Sequence, residues 1–416
     1  FMSENSGSLE RQRQTNPLLF QAFTLGSQTF PGIWRSMMPK ELLDLTFPHE
    51  RRATCSSCPK ACYAGFRPDY RCCTYHPRVA NFLLGLATAT ERGDAAFDRA
   101  LQRGLLLPEG FYAAPAQWID FMRDQAEDLY GKSSRVLCPL LDTASGLCDI
   151  HAFRNAVCST FFCYNDHGEA GSLFWTQLQT LGSQVEMILS QWALRRVGFD
   201  VDRYIHELDR MVEDLALVST QEGWSARALQ RLWGDWHGRE RQLYRSCAEV
   251  ILDHQHELWN LAQITPVREA ALFEQAVDRL LPQDLRDDEQ EELGHPSDLD
   301  PAFSWKLCLS AYQKLWRWPE GKRLILDQTV SITENGRKTP RELYAADQPF
   351  ILIYQGESGE EWQALTADQR DVLERFSGVG TVLDDKIFLG FEVDEHAGLR
   401  TLISECLARQ ILHFAD

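Results

Sequence analysis

The stretch that decides the fold is Cys148-Asp-Ile-His-Ala-Phe-Arg-Asn-Ala-Val-Cys158-Ser-Thr-Phe-Phe-Cys163, in which three cysteines stand ten and five residues apart. It belongs to a larger group, since nine of the twelve cysteines of this 416-residue chain lie in one region. The nine are Cys55, Cys58, Cys62, Cys72, Cys73, Cys138, Cys148, Cys158 and Cys163. Thiolates are soft ligands that suit zinc and iron–sulfur clusters, so the grouping predicts nine metal ligands.

Two other uses of clustered cysteines compete with metal binding. Secreted proteins use them as disulfides, and buried thiols also pack as small hydrophobic groups. The N-terminus shows no basic segment followed by an apolar one, so we expect no secretory signal and a cytoplasmic location. The two-residue gap between Cys55 and Cys58 lets both sulfurs reach one metal from a single turn. Cys247, Cys308 and Cys406 stand alone and are predicted not to be ligands.

The spacing leaves the identity of the metal open between iron–sulfur and zinc. Zinc sites often show two Cys-x2-Cys pairs, and this chain has one such pair. Pro follows both Cys58 and Cys138, as it follows a cysteine in bacterial ferredoxin sequences. We therefore expect one or two iron–sulfur clusters of the [4Fe-4S] type, with zinc as the alternative.

The rear cysteine group resembles the YkgJ-like cysteine-cluster family, which is described as a zinc- or iron-chelating domain. The cysteine spacings from Cys138 to Cys163 match, as do Ile150 and Arg154. His151 stands where the family has a tyrosine, and Asn155 stands where it has a proline.

The front group departs from that family. Cys55 and Cys58 fit its pattern, whereas Cys62 comes one residue late and the adjacent pair is displaced to Cys72-Cys73. The family includes flagellin lysine N-methylases, and the resemblance therefore implies protein lysine N-methylation as an alternative activity.

Cationic side chains flank the cysteines. They are Arg67, Arg71 and His76 beside the first group, and His151 and Arg154 within the second. A four-thiolate site with Zn²⁺ or a +2 cluster keeps a charge of about −2, so nearby cations would stabilise it. We expect these five residues to bind or surround the cofactor. The alternative is that the Arg- and Tyr-rich first stretch docks an acidic partner or RNA.

The overall charge bears on the partner. The chain carries 60 acidic and 42 basic residues, a net charge of −18, which disfavours a nucleic-acid partner. No apolar run approaches the roughly 18–20 residues needed to cross a bilayer, so we expect no membrane partner. A protein partner or protein substrate remains as the expectation, and the sequence gives no indication of oligomeric state.

The sequence predicts a mainly α protein: a cysteine-rich metal-binding domain, a helical bundle and a small C-terminal α+β module of winged-helix-like type. The predicted parts are an N-terminal arm 1–54, a cysteine-cluster domain 55–170 with a helical insertion 76–134, a helical domain 171–281, an acidic linker 282–303 and the α+β module 304–416.

Apolar periodicity places individual elements. Phe174, Leu178, Leu181, Val185, Ile188 and Trp192 recur every three or four residues, which predicts one long helix. In the C-terminal module we expect a hairpin turn at Asn335-Gly336, a strand over Phe350–Tyr354 and a helix capped by Thr366. A strand over Ile387–Val393 and a last helix over Leu399–Phe414 complete it.

Three functions remain open at this point. The first is a cytoplasmic iron–sulfur protein that acts in redox chemistry or as a cluster-dependent modification enzyme. The second is a protein lysine N-methyltransferase resembling the flagellin enzymes. The third is a zinc-stapled interaction protein, so the sequence leaves open whether the chain is an enzyme.

Overall fold

The computed structural model describes residues 5–25, 28–48, 65–67, 69–127, 129, 131–161, 168–211, 213, 217–281, 299–315, 322–334, 348–356, 359–392 and 395–415. Helices are its main secondary structure and the sheets are small, so the prediction of a mainly α fold is confirmed. The described residues divide into two compact units. Unit 1 has the ranges Phe1–Phe47, Thr54–Phe161 and Leu178–Ser304, and unit 2 has Pro48–Ala53, Phe162–Gln177 and Trp305–Asp416.

Unit 1 is built mainly from helices. The helices between residues 5 and 315 are α1 Asn5–Thr15, α2 Trp34–Met37, α3 Lys40–Leu43, α4 Asn81–Ala87, α5 Glu91–Gln102, α6 Pro115–Ala126, α7 Ala156–Thr160, α8 Gly168–Arg196, α9 Val201–Met211, α10 Ala226–Trp233, α11 Glu240–Asp253, α12 Leu258–Ile264, α13 Arg268–Asp278 and α14 Pro301–Leu315. Its strands are β1 Phe23–Leu25, β2 Gln28–Phe30, β3 Val79–Ala80, β4 Leu106–Leu107, β5 Gly110–Phe111, β6 Leu141–Asp142 and β7 Leu147–Cys148. They form a β1–β2 hairpin, a sheet of order β3-β5-β4 and a β6–β7 hairpin.

The long predicted helix is confirmed as α8, and its apolar stripe from Phe174 to Ile188 is buried. The helices pack closely where side chains are small. At Gly85 in α4, a Cβ atom would lie 2.1 Å from the Tyr244 carbonyl oxygen of α11, so only glycine permits this crossing. Cys247 is fully buried on α11, one of the isolated positions that the sequence predicts to be a non-ligand.

Unit 2 combines two small sheets with helices. Its strands are β8 Arg323–Leu326, β9 Ser331–Glu334, β10 Phe350–Gly356, β11 Gly359–Leu365, β12 Thr381–Val382 and β13 Leu412–Phe414, and its later helices are α15 Ala367–Glu374 and α16 His396–Ala408. The sheets have the orders β11-β10-β9 and β12-β8-β13, with antiparallel neighbours. The predicted cap is confirmed, because the Thr366 hydroxyl accepts a hydrogen bond from the Gln369 N–H at the start of α15.

Two predictions for this unit are wrong. The predicted strand over Ile387–Val393 is instead a 3₁₀ helix over Asp385–Phe388, because the Asp384 carboxylate accepts the Lys386 N–H and starts a helical turn. The predicted last helix ends at Ala408, where Gln410 adopts a left-handed backbone with φ of 60° and β13 then pairs with β8.

Several predictions fall outside the described residues. These are the Asn335-Gly336 turn and most of the acidic linker, residues 282–298. The division of the sequence into five parts stays a prediction. Among the helices of the described residues, none is long and apolar enough to cross a membrane.

Candidate metal centre

Five of the nine predicted ligands lie in the described structure, and they come from four separate segments of unit 1. They are Cys72, Cys73, Cys138, Cys148 and Cys158. None of the five forms a disulfide. The other four predicted ligands, Cys55, Cys58, Cys62 and Cys163, lie outside the described residues.

The Cys72-Cys73 pair lies in a tight turn joined to the second group. The Cys73 N–H donates to the Tyr70 carbonyl at 3.1 Å, and the Cys73 carbonyl accepts the Cys138 N–H at 2.8 Å. The pKa of the Cys73 thiol is raised by its contact with Cys72, by burial and by the thiols of Cys138 and Cys148. The first and second cysteine groups therefore meet in space across about 65 residues of sequence.

The Cys138 sulfur is buried under a turn that favours its charged form. Burial and the nearby Cys148 thiol raise its pKa to about 12, while the backbone N–H groups of Leu140 and Leu141 act in the opposite direction. Hydrogen bonds from backbone N–H groups to a sulfur stabilise a thiolate, and around metal-bound sulfur they tune the site. The N–H groups of this turn therefore offset part of the effect of burial on Cys138.

The β6–β7 hairpin carries Cys148 and is clamped to α5. Cys148 pairs with Leu141 across the hairpin. Next to it, the Asp149 carboxylate is buried and accepts hydrogen bonds from Arg92 at 2.7 Å and from Arg99 at 2.5 Å. Arg99 also donates to the Pro139 carbonyl at 2.8 Å. These contacts fix the segments that carry Cys138 and Cys148 to one helix.

Cys158 lies in the first turn of α7, and Asn155 caps that helix. The Asn155 side-chain oxygen accepts the Cys158 N–H at 3.1 Å, and its amide donates to the Arg78 carbonyl at 2.6 Å. Burial, followed by the thiols of Cys148 and Cys138, raises the pKa of Cys158 well above its usual value, and the charge of Arg154 opposes that shift.

Two of the predicted arginines lie beside the thiols. Arg71 directly precedes the cysteine pair, is buried, and places its guanidinium against the Gly146 turn of the β6–β7 hairpin. Arg154 donates to the Thr29 carbonyl at 2.5 Å and acts electrostatically on Cys158. Arg154 is therefore positioned to offset negative charge on Cys158, whereas Arg71 adjoins the cysteine pair in the chain and contacts the hairpin that carries Cys148.

The other three predicted cofactor residues have different surroundings. Arg67 pairs with Asp69 at 2.7 Å at the surface. His76 is buried against Phe111, with its Nε2 3.2 Å from the Leu137 carbonyl, and burial lowers its pKa to about 4. His151 is exposed at the start of a short 3₁₀ helix. A role for these three at the cofactor stays a prediction.

Sequence reasoning missed two residues that shape the site. Asn155 had a local signal, because Asn followed by a short helical stretch is a typical N-cap. Asp149 had none, since its partners Arg92 and Arg99 lie 57 and 50 residues away.

The described thiols are close enough to influence each other's ionisation but do not form a complete site by themselves. Within the described part of the chain, no three His, Cys, Asp or Glu side chains are close enough together to hold a metal ion. The donor chemistry nevertheless fits a thiolate-bound metal. Buried thiols that oppose each other's ionisation can be deprotonated together when a cation neutralises them.

Comparisons with known proteins add no further identification. No family model matches this chain, and neither a curated protein nor a solved structure matches it.

Proposed function

We propose that this chain is a cytoplasmic metalloprotein that binds an iron–sulfur cluster through its grouped cysteines and acts in redox chemistry or cluster-dependent modification of a protein. Its ligands would be drawn from Cys72, Cys73, Cys138, Cys148 and Cys158, together with those of Cys55, Cys58, Cys62 and Cys163 that complete the shell. When bound, such a cluster supplies one-electron transfer at a potential set by charge and hydrogen bonding around the sulfurs.

The observation that carries this proposal is that five thiols from four segments lie within electrostatic range of one another. Cys73, Cys138 and Cys158 each have a pKa raised by at least one other grouped thiol. For Cys247 and Cys406, by contrast, burial is the main cause of the raised pKa, as for a thiol that packs as a small hydrophobic group. Arg154 supplies positive charge next to Cys158, at a site that would otherwise be anionic.

The resemblance of residues 138–163 to the YkgJ-like cysteine-cluster family supports the same proposal. The proposal includes the finer division of the fold into a metal-binding cysteine domain, a helical domain and a winged-helix-like C-terminal module. It also includes a protein as the partner or substrate.

Anaerobic purification tests the proposal. Iron–sulfur ligation makes the protein brown, with iron and acid-labile sulfide in equal amounts, whereas Zn²⁺ is d¹⁰ and colourless. Colourless protein with stoichiometric zinc and no sulfide would contradict the redox role and support the alternative of an interaction protein stabilised by zinc. Protein without either metal, when expressed in medium that supplies both, would reject metal binding.

Matched cysteine variants test the ligand set. We expect Cys158→Ser to lose most of its metal and Cys247→Ser to keep it, although both thiols are buried in unit 1. Full metal content in Cys158→Ser would contradict the proposed ligand set at the position where the family resemblance is strongest.

A further inference from the structure

A buried carboxyl group lies in unit 1 outside the thiol cluster. Glu109 occupies the two-residue turn between β4 and β5, and only 5% of it is exposed. Its backbone carbonyl is fixed from two sides, by the Asn81 N–H at 2.9 Å and the Ser190 hydroxyl at 2.7 Å. The turn therefore projects the carboxyl group into the interior and not into solvent.

The side chains next to this carboxyl group are polar but uncharged. Gln191 of α8 lies beside it, and the Tyr204 hydroxyl of α9 is within its electrostatic range. Among the described residues, the two Glu109 carboxyl oxygens, the Gln191 amide and the Tyr204 hydroxyl have no hydrogen-bond partner of normal geometry. All three side chains are at least nine-tenths buried. Buried polar atoms of this kind normally share protons with one another or with a ligand.

Glu274 is a second carboxyl group near Glu109, and both lie within electrostatic range of the cation Arg78. Arg78 forms an ion pair with Glu274 of α13 and lies over the Tyr112 ring, 4.6 Å from its centroid. The Tyr112 hydroxyl donates to Glu274 at 3.3 Å. Glu109 is within electrostatic range of both members of this pair, so the Arg78 charge is already matched by Glu274.

The charges determine the protonation state. An isolated carboxylate in an apolar interior costs several kcal/mol or more, so such a group keeps its proton. We propose that Glu109 is a proton-binding site: a buried carboxylic acid that retains its proton at neutral pH, because the nearby cation Arg78 is already paired with Glu274. Among its titratable or charged neighbours, Arg78 before β3 opposes this state and Glu274 on α13 favours it, whereas Tyr112 after β5, Tyr204 on α9, Tyr244 on α11 and Asp278 on α13 supply no positive charge.

Burial, together with the charge of Glu274, raises the pKa of Glu109 well above its usual value, while Gln191 and Arg78 act against that shift. The Arg78 carbonyl also accepts the Asn155 amide that caps the Cys158 helix, so Arg78 contacts both Glu274 and the segment that carries Cys158. The proposal does not depend on the metal and applies to the metal-free protein.

Infrared difference spectroscopy of the full chain at pH 7 tests it. Subtracting Glu109→Gln from wild type should reveal the carbonyl stretch of a neutral carboxylic acid. In Glu274→Gln the Arg78 charge loses its partner, so Glu109 should ionise and its acid band should disappear although the residue is present. Glu222→Gln, at an exposed position, should change only carboxylate bands.

A carboxylate signature in the wild type minus Glu109→Gln spectrum would overturn the proposal. So would an acid band that survives in Glu274→Gln. If Glu109→Gln does not fold, ¹³C-carboxyl glutamate NMR of Glu186→Gln decides instead, because burial also raises the pKa of Glu186. Glu109 should then give a signal that remains protonated at pH 7, and a spectrum without a protonated signal would reject the assignment.

Discussion

Arg71 shows how a single residue is held in an unfavourable state at the candidate site. Its φ of 57° is in the left-handed region, which costs a side chain other than glycine about 1–2 kcal/mol. The guanidinium lies where Gly146, itself at φ 63°, has no side chain. Two positive-φ positions therefore fit against each other, and no sequence pattern assigns an arginine to such a backbone.

Gly146→Ala tests this contact. The new methyl group would lie 2.8 Å from the Arg71 Nη2, and alanine also pays the cost of positive φ, so we expect unfolding free energy to fall by about 2 kcal/mol. Gly198→Ala is the matched control, because its φ is 78° and nothing lies within 4 Å of its Cβ. It should lose only about 1 kcal/mol. Equal losses in urea denaturation would mean that Arg71 does not pack on Gly146.

At the scale of elements, Asp149 connects the β6–β7 hairpin to α5. Its carboxylate is 5% exposed and holds two arginines, whereas the Asp120–Arg123 pair on α6 is an exposed neighbour pair. Removing the carboxylate breaks its charge-assisted hydrogen bonds to Arg92 and Arg99, so Asp149→Ala should cost about 2–3 kcal/mol and weaken metal retention. Asp120→Ala should cost less than about 1 kcal/mol. The same small loss in both variants would show that the clamp is not needed.

The elements that sequence predicted are those whose signals are local. The α8 stripe and the Thr366 cap each depend on neighbours within a few residues, and both are confirmed. The strand expected at Ile387 failed because a capping Asp384 outweighed a run of apolar residues. The sequence indicated the candidate ligands through the grouping of its cysteines, but the contacts that shape their surroundings join distant residues, such as Asn155 to Arg78 across 77 positions.

At the scale of the whole molecule, unit 1 holds two buried glutamates that differ from buried acids paired with a cation. In unit 2, the buried Glu405 has Arg409 3.7 Å away on the same helix. In unit 1, Glu109 has no cation of its own, and Glu186 of α8 lies beside the Ala156 N–H and the Trp34 indole. Burial raises the pKa of Glu186 to about 8. Unit 1 should therefore carry most of the pH dependence of stability.

The sign of that dependence follows from proton binding. Near neutral pH the unfolded chain has both glutamates ionised, whereas the native state keeps them protonated, so the free energy of unfolding falls as pH rises. His76 and His151 act in the opposite direction, because desolvation lowers the pKa of each to about 4. Cysteines of the unfolded chain begin to ionise about one pH unit below 8.5, and these contributions are common to the wild type and its glutamate variants. In the range from about pH 6.5 to 8, the difference between wild type and variant therefore isolates the acids.

In that range, urea denaturation of the metal-free, reduced protein should show unfolding free energy falling by about 1 kcal/mol per pH unit for each protonated acid. Glu186→Gln should remove its share of the slope, and the Glu109→Gln, Glu186→Gln double variant should lose the shares of both acids. The exposed-site variant Glu222→Gln should retain the full wild-type slope. A double variant with the same slope as the wild type would mean that both carboxylates are ionised in the native state and that the interior of unit 1 compensates them.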